Sequence, residues 1–430
     1  MRIPRQQDLT GIQNQIINIV TNTDIKRMAI VGGPGTGKTV LEVIIANKLA
    51  TDGILCLTYY KLLTNSTEDT LKAIKDSETP QPNCATFFSW LWRWWMNCFE
   101  EEFDEENENF PRFQSTDPAK KFSEIYWDEI IKAFDALPDF AKESARIPFL
   151  FIDETQDLDD GKLKLLNHIS DRIIVAFDDD QNISDDVLRG KTAKRNRILQ
   201  MLDMEESFFD LIVNFRNTPA VERVAKLFGS NYRSNRLTLG VETAVRKEAG
   251  RKPVVCCCKN DEEAVEYIIS KISRNPEGSH GIIFPYKPQT SSFNYRSYAS
   301  DKEHFYKYAG LFEAKLKDLN IKLQKKFGED GKGIIVKESG VYIVTDTVAK
   351  GLEFDNVYIL NAETFACTSE ADRNRVYVSV TRAIENLYIL FTESPAMLRN
   401  HVYKTVEANA ELFSREDPKP KQAATEWRID

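Results

Sequence analysis

The chain has 430 residues, 42 % of them apolar and 29 % charged, with a formal net charge of −9. That length exceeds one ordinary hydrophobic core, so two or more domains are expected, and the composition is that of a globular chain. No apolar run is long enough to span a bilayer, the opening Met1-Arg2-Ile3-Pro4-Arg5-Gln6-Gln7 lacks the apolar core of a secretion signal, and the acidic balance argues weakly against a blanket nucleic-acid binder while leaving room for a basic groove on an acidic body; the expectation is a cytoplasmic protein with no membrane partner.

In chain order, Met28 to Val31 reads as a buried strand and Val40 to Ala46 as an amphipathic helix. Between them lies Gly32-Gly33-Pro34-Gly35-Thr36-Gly37-Lys38-Thr39. Strand, glycine turn and helix form the context in which GxxxxGK[ST] binds phosphate. Glycines reach backbone conformations closed to other residues, so successive N–H groups can converge on one anion at the positive end of a helix. Lys38 is placed to reach the β- and γ-phosphates of ATP, and Thr39 to hold Mg²⁺.

A second strand is expected over Ile54–Thr58, then a helix over Thr86–Trp95. Phe87, Trp90, Leu91 and Trp94 share one face of that helix, which reads as core; a base-stacking platform is the open alternative. Trp92 lies off the stripe and is the better stacking candidate. Glu100–Phe110 is an acidic, solvated loop, and a helical pattern resumes near Ala119–Ala136.

Two further buried strands end in acids: Pro148–Ile152 before Asp153-Glu154, and Arg172–Phe177 before Asp178-Asp179-Asp180-Gln181. On a parallel sheet such C-terminal edges collect ligands. Asp153 can hold Mg²⁺, Glu154 can orient or deprotonate an attacking water, and Gln181 can sense the γ-phosphate. A second set of strands follows, at Leu211–Val213, Pro253–Cys258, Gly281–Phe284, Val341–Val344, Val357–Leu360 and Leu387–Phe391. These are read as a second α/β domain without a phosphate loop. Arg216 and Arg382 are its candidates for stabilising transition-state charge. The tail from Ser414 is polar and is read as mobile. Seven cysteines without CxxC spacing and four isolated histidines offer no zinc or nucleophile constellation, and Cys256-Cys257-Cys258 reads as strand.

Taken together, these stretches resemble the superfamily 1A helicases of the UvrD/PcrA/Rep type, from Leu9 to about Phe391 and in that family's order. Leu9-Thr10-Gly11-Ile12-Gln13 is similar to the motif whose glutamine reads adenine. Asp153-Glu154-Thr155-Gln156-Asp157 resembles the DExQD box, Asp178–Gln181 GDxxQ and Asn214-Phe215-Arg216 NYR. Ala349-Lys350-Gly351-Leu352-Glu353-Phe354-Asp355 resembles AKGLEFD, whose glutamate contacts the nucleotide, and Val378–Ala383 the VAxTRA box. Leu57-Thr58-Tyr59-Tyr60 and Thr86-Phe87-Phe88-Ser89 resemble strand-binding motifs.

The resemblance implies an α/β fold of two RecA-like P-loop domains with parallel sheets and small helical insertions. It places domain 1A at 1–86 and 147–210, a helical insertion 1B at 87–146, domain 2A at 211–289 and 339–400, a reduced insertion 2B at 290–338, and a C-terminal helix and mobile tail at 401–430. It implies ATP and Mg²⁺ in a cleft between the two domains, served by Gln13, the loop from Gly32 to Thr39, Arg216, Gly351, Glu353 and Arg382, with 3′→5′ movement on single-stranded DNA. Candidate DNA contacts are Tyr59, Tyr60, Phe87, Trp92, Lys191, Lys194 and Arg195, with a solvated-loop reading of the basic run left open.

Several positions depart from the family pattern. Asn182-Ile183-Ser184 stands where a stacking aromatic is usual, Phe177 where the box glycine is, Thr347 and Phe88 where histidines are common. With small insertions, translocation on single strands is better supported than processive unwinding. A nucleotide- and DNA-gated subunit of a larger complex, acting with a separate nuclease in phage defence as some small relatives do, is the alternative reading.

Overall fold

The computed structural model describes residues 6–59, 61–74, 80–99, 127–181, 195–229, 250–286, 295–327, 336, 339–365, 367, 370–392 and 401–418. The chain divides into two compact units, Met1–Ile212 and Val213–Asp430. Both are α/β and RecA-like, each built on a parallel sheet.

In the first unit, β1 (Arg27–Gly32), β2 (Ile54–Thr58), β3 (Asn83–Thr86), β4 (Ile147–Ile152), β5 (Ser170–Phe177) and β6 (Phe208–Leu211) lie in the order β3-β2-β4-β5-β1-β6. Side chains alternate along each strand between the two faces. Met28, Ile30, Ile54, Cys56, Phe149, Phe151 and Ile174 pack beneath α1 (Gly11–Asn22) and α2 (Lys38–Lys48). Ala29, Val31, Leu55, Leu57, Leu150, Ile152 and Val175 join the other core layer. Cover on both faces explains why these strands read as continuous apolar runs.

Three helices belong to that second layer or to the edge beside it: α3 (Lys61–Ile74) flanks β3, while α4 (Phe87–Phe99) and α5 (Trp127–Ala136) pack on the sheet. Trp90 and Trp94 stack with centroids 5.7 Å apart, and the Trp94 indole donates to the Ala145 carbonyl at 2.8 Å. The aromatic stripe of α4 is therefore core.

One boundary reading changes here. Leu211 ends β6, which pairs with β1 from Ala29 to Gly32, so this strand belongs to the first sheet and not to the second set. The apolar run Phe208–Val213 crosses the junction between the units, and pairing alone decides its side.

The second unit carries β7 (Val254–Cys257), β8 (Ser279–Phe284), β9 (Leu323–Lys326), β10 (Gly340–Thr345), β11 (Phe354–Ile359), β12 (Ala383–Phe391) and β13 (Ser414–Glu416), in the order β13-β7-β12-β11-β8-β10-β9. The stretch at 290–338, read as an insertion, supplies structural parts of this sheet. The helix Tyr295–Lys317 lays Phe305, Tyr308, Phe312 and Leu316 into the core, and β9 forms an edge beside β10. Likewise Ser414–Glu416, read as the start of a mobile tail, is the opposite edge strand; the Glu416 carboxylate accepts from the Tyr267 hydroxyl at 2.9 Å. Among the described residues no helix is long and apolar enough to cross a membrane.

Candidate active site

Because β1 lies between β5 and β6 and β4 adjoins β5, the segments leaving β1, β4 and β5 emerge side by side at one sheet edge. The glycine turn occupies the first. Gly35 and Gly37 have φ of 72° and 91°, the left-handed region that glycine tolerates. A Cβ on Gly32 would stand 2.5 Å from the Thr36 hydroxyl oxygen, and one on Gly37 2.5 Å from Gln13 Nε2. Side chains are thus excluded where backbone N–H groups need to approach an anion. Lys38 opens α2, and its ammonium donates to the Gly32 and Gly33 carbonyls at 2.8 and 3.1 Å.

Gln13 sits behind this turn. With Thr10 it forms a capping box at the start of α1, its Oε1 accepting from Thr10 N at 2.9 Å. Its Nε2 donates to the Thr36 carbonyl at 3.1 Å. The residue read as an adenine contact thus braces the phosphate loop, with one N–H and one lone pair left over.

At the second strand end, the Thr39 hydroxyl donates to Asp153 Oδ2 at 2.7 Å. Glu154 is buried with φ 56°, a left-handed conformation costing a non-glycine residue about 1–3 kcal/mol. Strain of this kind persists where surrounding contacts fix it. Here Gln156 Nε2 donates to the Glu154 carboxylate, Gln156 Oε1 accepts from Asp178 N at 3.2 Å, and Gln181 Nε2 donates to Asp178 Oδ2 at 2.9 Å. Gln156 was visible only as a motif letter; the structure makes it the link between Glu154 and Gln181. Burial, then the neighbouring Glu154 charge, pushes the Asp153 carboxyl up to about 6, against the pull of Lys38.

Burial also lifts Asp178 to about 6, again opposed by Lys38. A carboxyl that binds its proton more tightly when folded stabilises the protein fully below its ordinary 3.8, and that contribution is lost as pH rises through about 6. Asp178→Asn is therefore expected to flatten the decline of the melting temperature across this window. An unchanged slope in the variant would reject the assignment.

The second unit gathers Arg216, Glu353 and Arg382. Arg216 Nε is 2.7 Å from Glu353 Oε2. The Arg216 charge, with Arg382 behind it, holds the Glu353 carboxyl below its usual range against the opposing effect of burial. Gly351, at φ 82°, makes the turn that precedes Glu353. Arg382 is 2 % exposed; its Nε donates to the Val378 carbonyl and its Nη1 to the Leu352 carbonyl. Asn217, which the sequence reading passed over, joins the two arginine segments: its amide donates to the Thr381 and Ala383 carbonyls at 3.1 and 2.6 Å, while Asn214 Oδ1 accepts from Arg216 N and Asn217 N.

The DNA candidates divide. Phe87 is 1 % exposed and belongs to the core stripe, which corrects its reading as a base contact; Phe88 beside it is 49 % exposed and Trp92 45 %. Helical phase sets the difference, since Phe87 shares its face with Trp90 and Trp94. Tyr59 meets Phe88 edge-on at 6.4 Å. Lys162, held by Asp159 at 2.8 Å, lies 5.3 and 5.6 Å from the Phe88 and Tyr59 ring centroids. Arg195 is engaged within its unit, bonded to Asp210 at 3.1 Å and stacked 4.9 Å above Phe208. Tyr60, Lys191, Lys194 and Asn182-Ile183-Ser184 lie outside the described residues.

Two family models match the chain. Residues 13–186 match an AAA domain and residues 340–390 the UvrD-like helicase C-terminal domain. Together they span just over half of it. Among solved structures, the C-terminal domain of a possible DNA helicase from Lactobacillus plantarum WCFS1 is similar at 20 % identity and a TM-score of 0.29, covering 47 % of this chain and 99 % of that one. No curated protein matches the chain.

Proposed function

The chain belongs to the UvrD-like superfamily 1 helicases, and from that premise we propose that it is an ATP-driven motor moving 3′→5′ on single-stranded DNA. The observation that carries this reading is the run of contacts from Thr39 and Asp153 through Glu154, Gln156 and Asp178 to Gln181. A hydroxyl and a carboxylate in contact beside a glycine turn form an all-oxygen donor set, which suits Mg²⁺. The bound cation supplies charge neutralisation at the phosphates.

The protein's own groups do the remaining work. Lys38 and the N–H groups of residues 32–39 hold the triphosphate. Glu154 orients the attacking water and takes its proton, and Gln156 fixes Glu154 relative to Gln181, which senses the γ-phosphate. Arg216 and Arg382 stabilise charge on the transferred phosphoryl group, and Glu353 pairs with Arg216. Gln13 retains donor and acceptor capacity for the adenine edge. Tyr59, Phe88 and Trp92 offer stacking faces to bases.

The deciding experiment measures ATP hydrolysis with and without single-stranded DNA over a salt series. Stimulation is expected, with the logarithm of strand affinity falling at about −0.7 per phosphate contacted, and Phe88→Ala should weaken strand binding by about 1–3 kcal/mol. Salt-independent binding would remove the electrostatic groove. Weak stimulation together with a stable complex with another protein, such as a nuclease, would favour the gated regulatory subunit.

A further inference from the structure

All seven cysteines are unpaired thiols, but two of them face each other across neighbouring strands. Cys56 of β2 and Cys84 of β3 are register partners in a parallel pair. Partnered residues on adjacent strands stand about 4.7–4.9 Å apart and direct their side chains to the same face. A disulfide accepts Cα separations of about 4.4–6.8 Å. We propose that Cys56 and Cys84 form a dithiol–disulfide site, oxidised by peroxides and restored by thiol reductants.

The pair is built asymmetrically. β3 is the edge strand, so Cys84 is partly exposed while Cys56 is sealed beneath the sheet's helical cover. The neighbouring Cys56 thiol lowers Cys84 against the opposing effects of burial and of Glu68, with a smaller contribution from Lys72, while Cys84 and burial raise Cys56. Cys84 is thus the attacking sulfur and Cys56 the resolving one. Glu42 of α2 is a buried acid on this side of the sheet, and burial followed by the Asp153 charge raises its carboxyl well above the usual range.

The chemistry balances with hydrogen peroxide as oxidant. The Cys84 thiolate attacks one peroxide oxygen and the O–O bond breaks. Hydroxide leaves, takes a proton to become water, and Cys84 becomes a sulfenic acid. The Cys56 sulfur then attacks the Cys84 sulfur, the S–O bond breaks, and a second water leaves. Two thiols lose two electrons and one peroxide gains them. The cross-link joins β2 to β3 just before Thr58-Tyr59 and Thr86-Phe87-Phe88, so it fixes the two strand ends that carry the exposed rings.

A second sulfur pair provides an internal comparison. Cys256 and Cys258 have sulfurs 3.7 Å apart, but they are two residues apart along one extended segment and both are buried. Their Cα atoms are separated by about 6.6 Å of extended chain, near the upper limit for a disulfide. They should oxidise later than Cys56 and Cys84.

The test treats the native full chain with graded hydrogen peroxide, alkylates the remaining thiols, and maps peptides by mass. The expected result is a linked peptide pair containing Cys56 and Cys84, lighter by two hydrogens, that appears before any other disulfide. Dithiothreitol should reverse it, and in Cys84→Ser it should be absent with Cys56 still alkylated. Persistence of both free thiols while other cysteines are consumed would overturn the site. So would Cys84 pairing elsewhere, or a Cys256–Cys258 link forming first.

Discussion

Lys38→Ala is expected to lower ATP turnover by about 10²–10³-fold, the loss typical of one preorganised donor at a developing charge, while the protein stays folded. The side chain is buried at the start of α2, and its ammonium donates to the loop carbonyls of Gly32 and Gly33. Its removal leaves those two carbonyls short of a donor, a local effect of about 1–3 kcal/mol that a melting curve will register separately from turnover. The variant carries a second signature. Lys38 pulls down the carboxyls of both Asp153 and Asp178, which burial still leaves raised to about 6. Without the ammonium both carboxyls move further up, so the acid limb of any residual activity should shift to higher pH. A folded Lys38→Ala protein with near-native turnover and an unmoved pH profile would remove the phosphate-loop assignment.

How far a sequence discloses such a molecule depends on whether a residue's job is set locally. The phosphate loop is legible because its glycines answer a local backbone demand, and positive φ at Gly35 and Gly37 is the demand itself. The acids at 153, 154 and 178 are legible because each ends a continuous apolar run, the pattern of a parallel strand covered on both faces. Tyr295–Lys317 was hidden for the opposite reason. Its Phe305, Tyr308, Phe312 and Leu316 recur at helical spacing, but Asp301, Lys302, Glu303, His304 and Lys307 break the stripe in a linear reading. The strand that follows, Leu323–Lys326, has a single fully buried apolar residue because it is an edge.

Membership of a sheet is a long-range property as well. Nothing in Phe208–Leu211 says that it pairs with Ala29–Gly32 instead of opening the next unit. Helical phase separates Phe87 from Phe88 and is legible in the spacing of Phe87, Trp90, Leu91 and Trp94, but the sequence does not say whether that face meets the sheet or a base. Gln156 and Asn217 act through partners distant in sequence, Gln156 through Asp178 and Asn217 through the Thr381 and Ala383 carbonyls, and a lone amide in a sequence carries no such information.

Arg382→Ala is expected to leave nucleotide binding within a few-fold of native and to reduce hydrolysis by about 10³–10⁵-fold, the range for an arginine that stabilises a transferring phosphoryl group. The structure requires the variant to be chosen with care, because this guanidinium also organises its own turn. Its Nε, Nη1 and Nη2 donate to the Val378 carbonyl, the Leu352 carbonyl and the Thr381 hydroxyl. Alanine removes the charge and these braces together. Arg382→Lys keeps the charge, but an ammonium cannot reproduce a planar fork that donates in three directions. If Arg382 acts on phosphate, lysine should recover part of the lost turnover while both variants retain nucleotide affinity. If the residue only supports the turn, both variants should melt early and lose affinity and turnover in parallel. Arg216→Ala supplies the contrast. It removes the partner 2.7 Å from Glu353, so the Glu353 carboxyl should titrate higher, while the Arg382 turn, still tied by Asn217 to the Thr381 and Ala383 carbonyls, keeps its stability. Native hydrolysis in Arg382→Ala, with the protein folded, would exclude the arginine from catalysis.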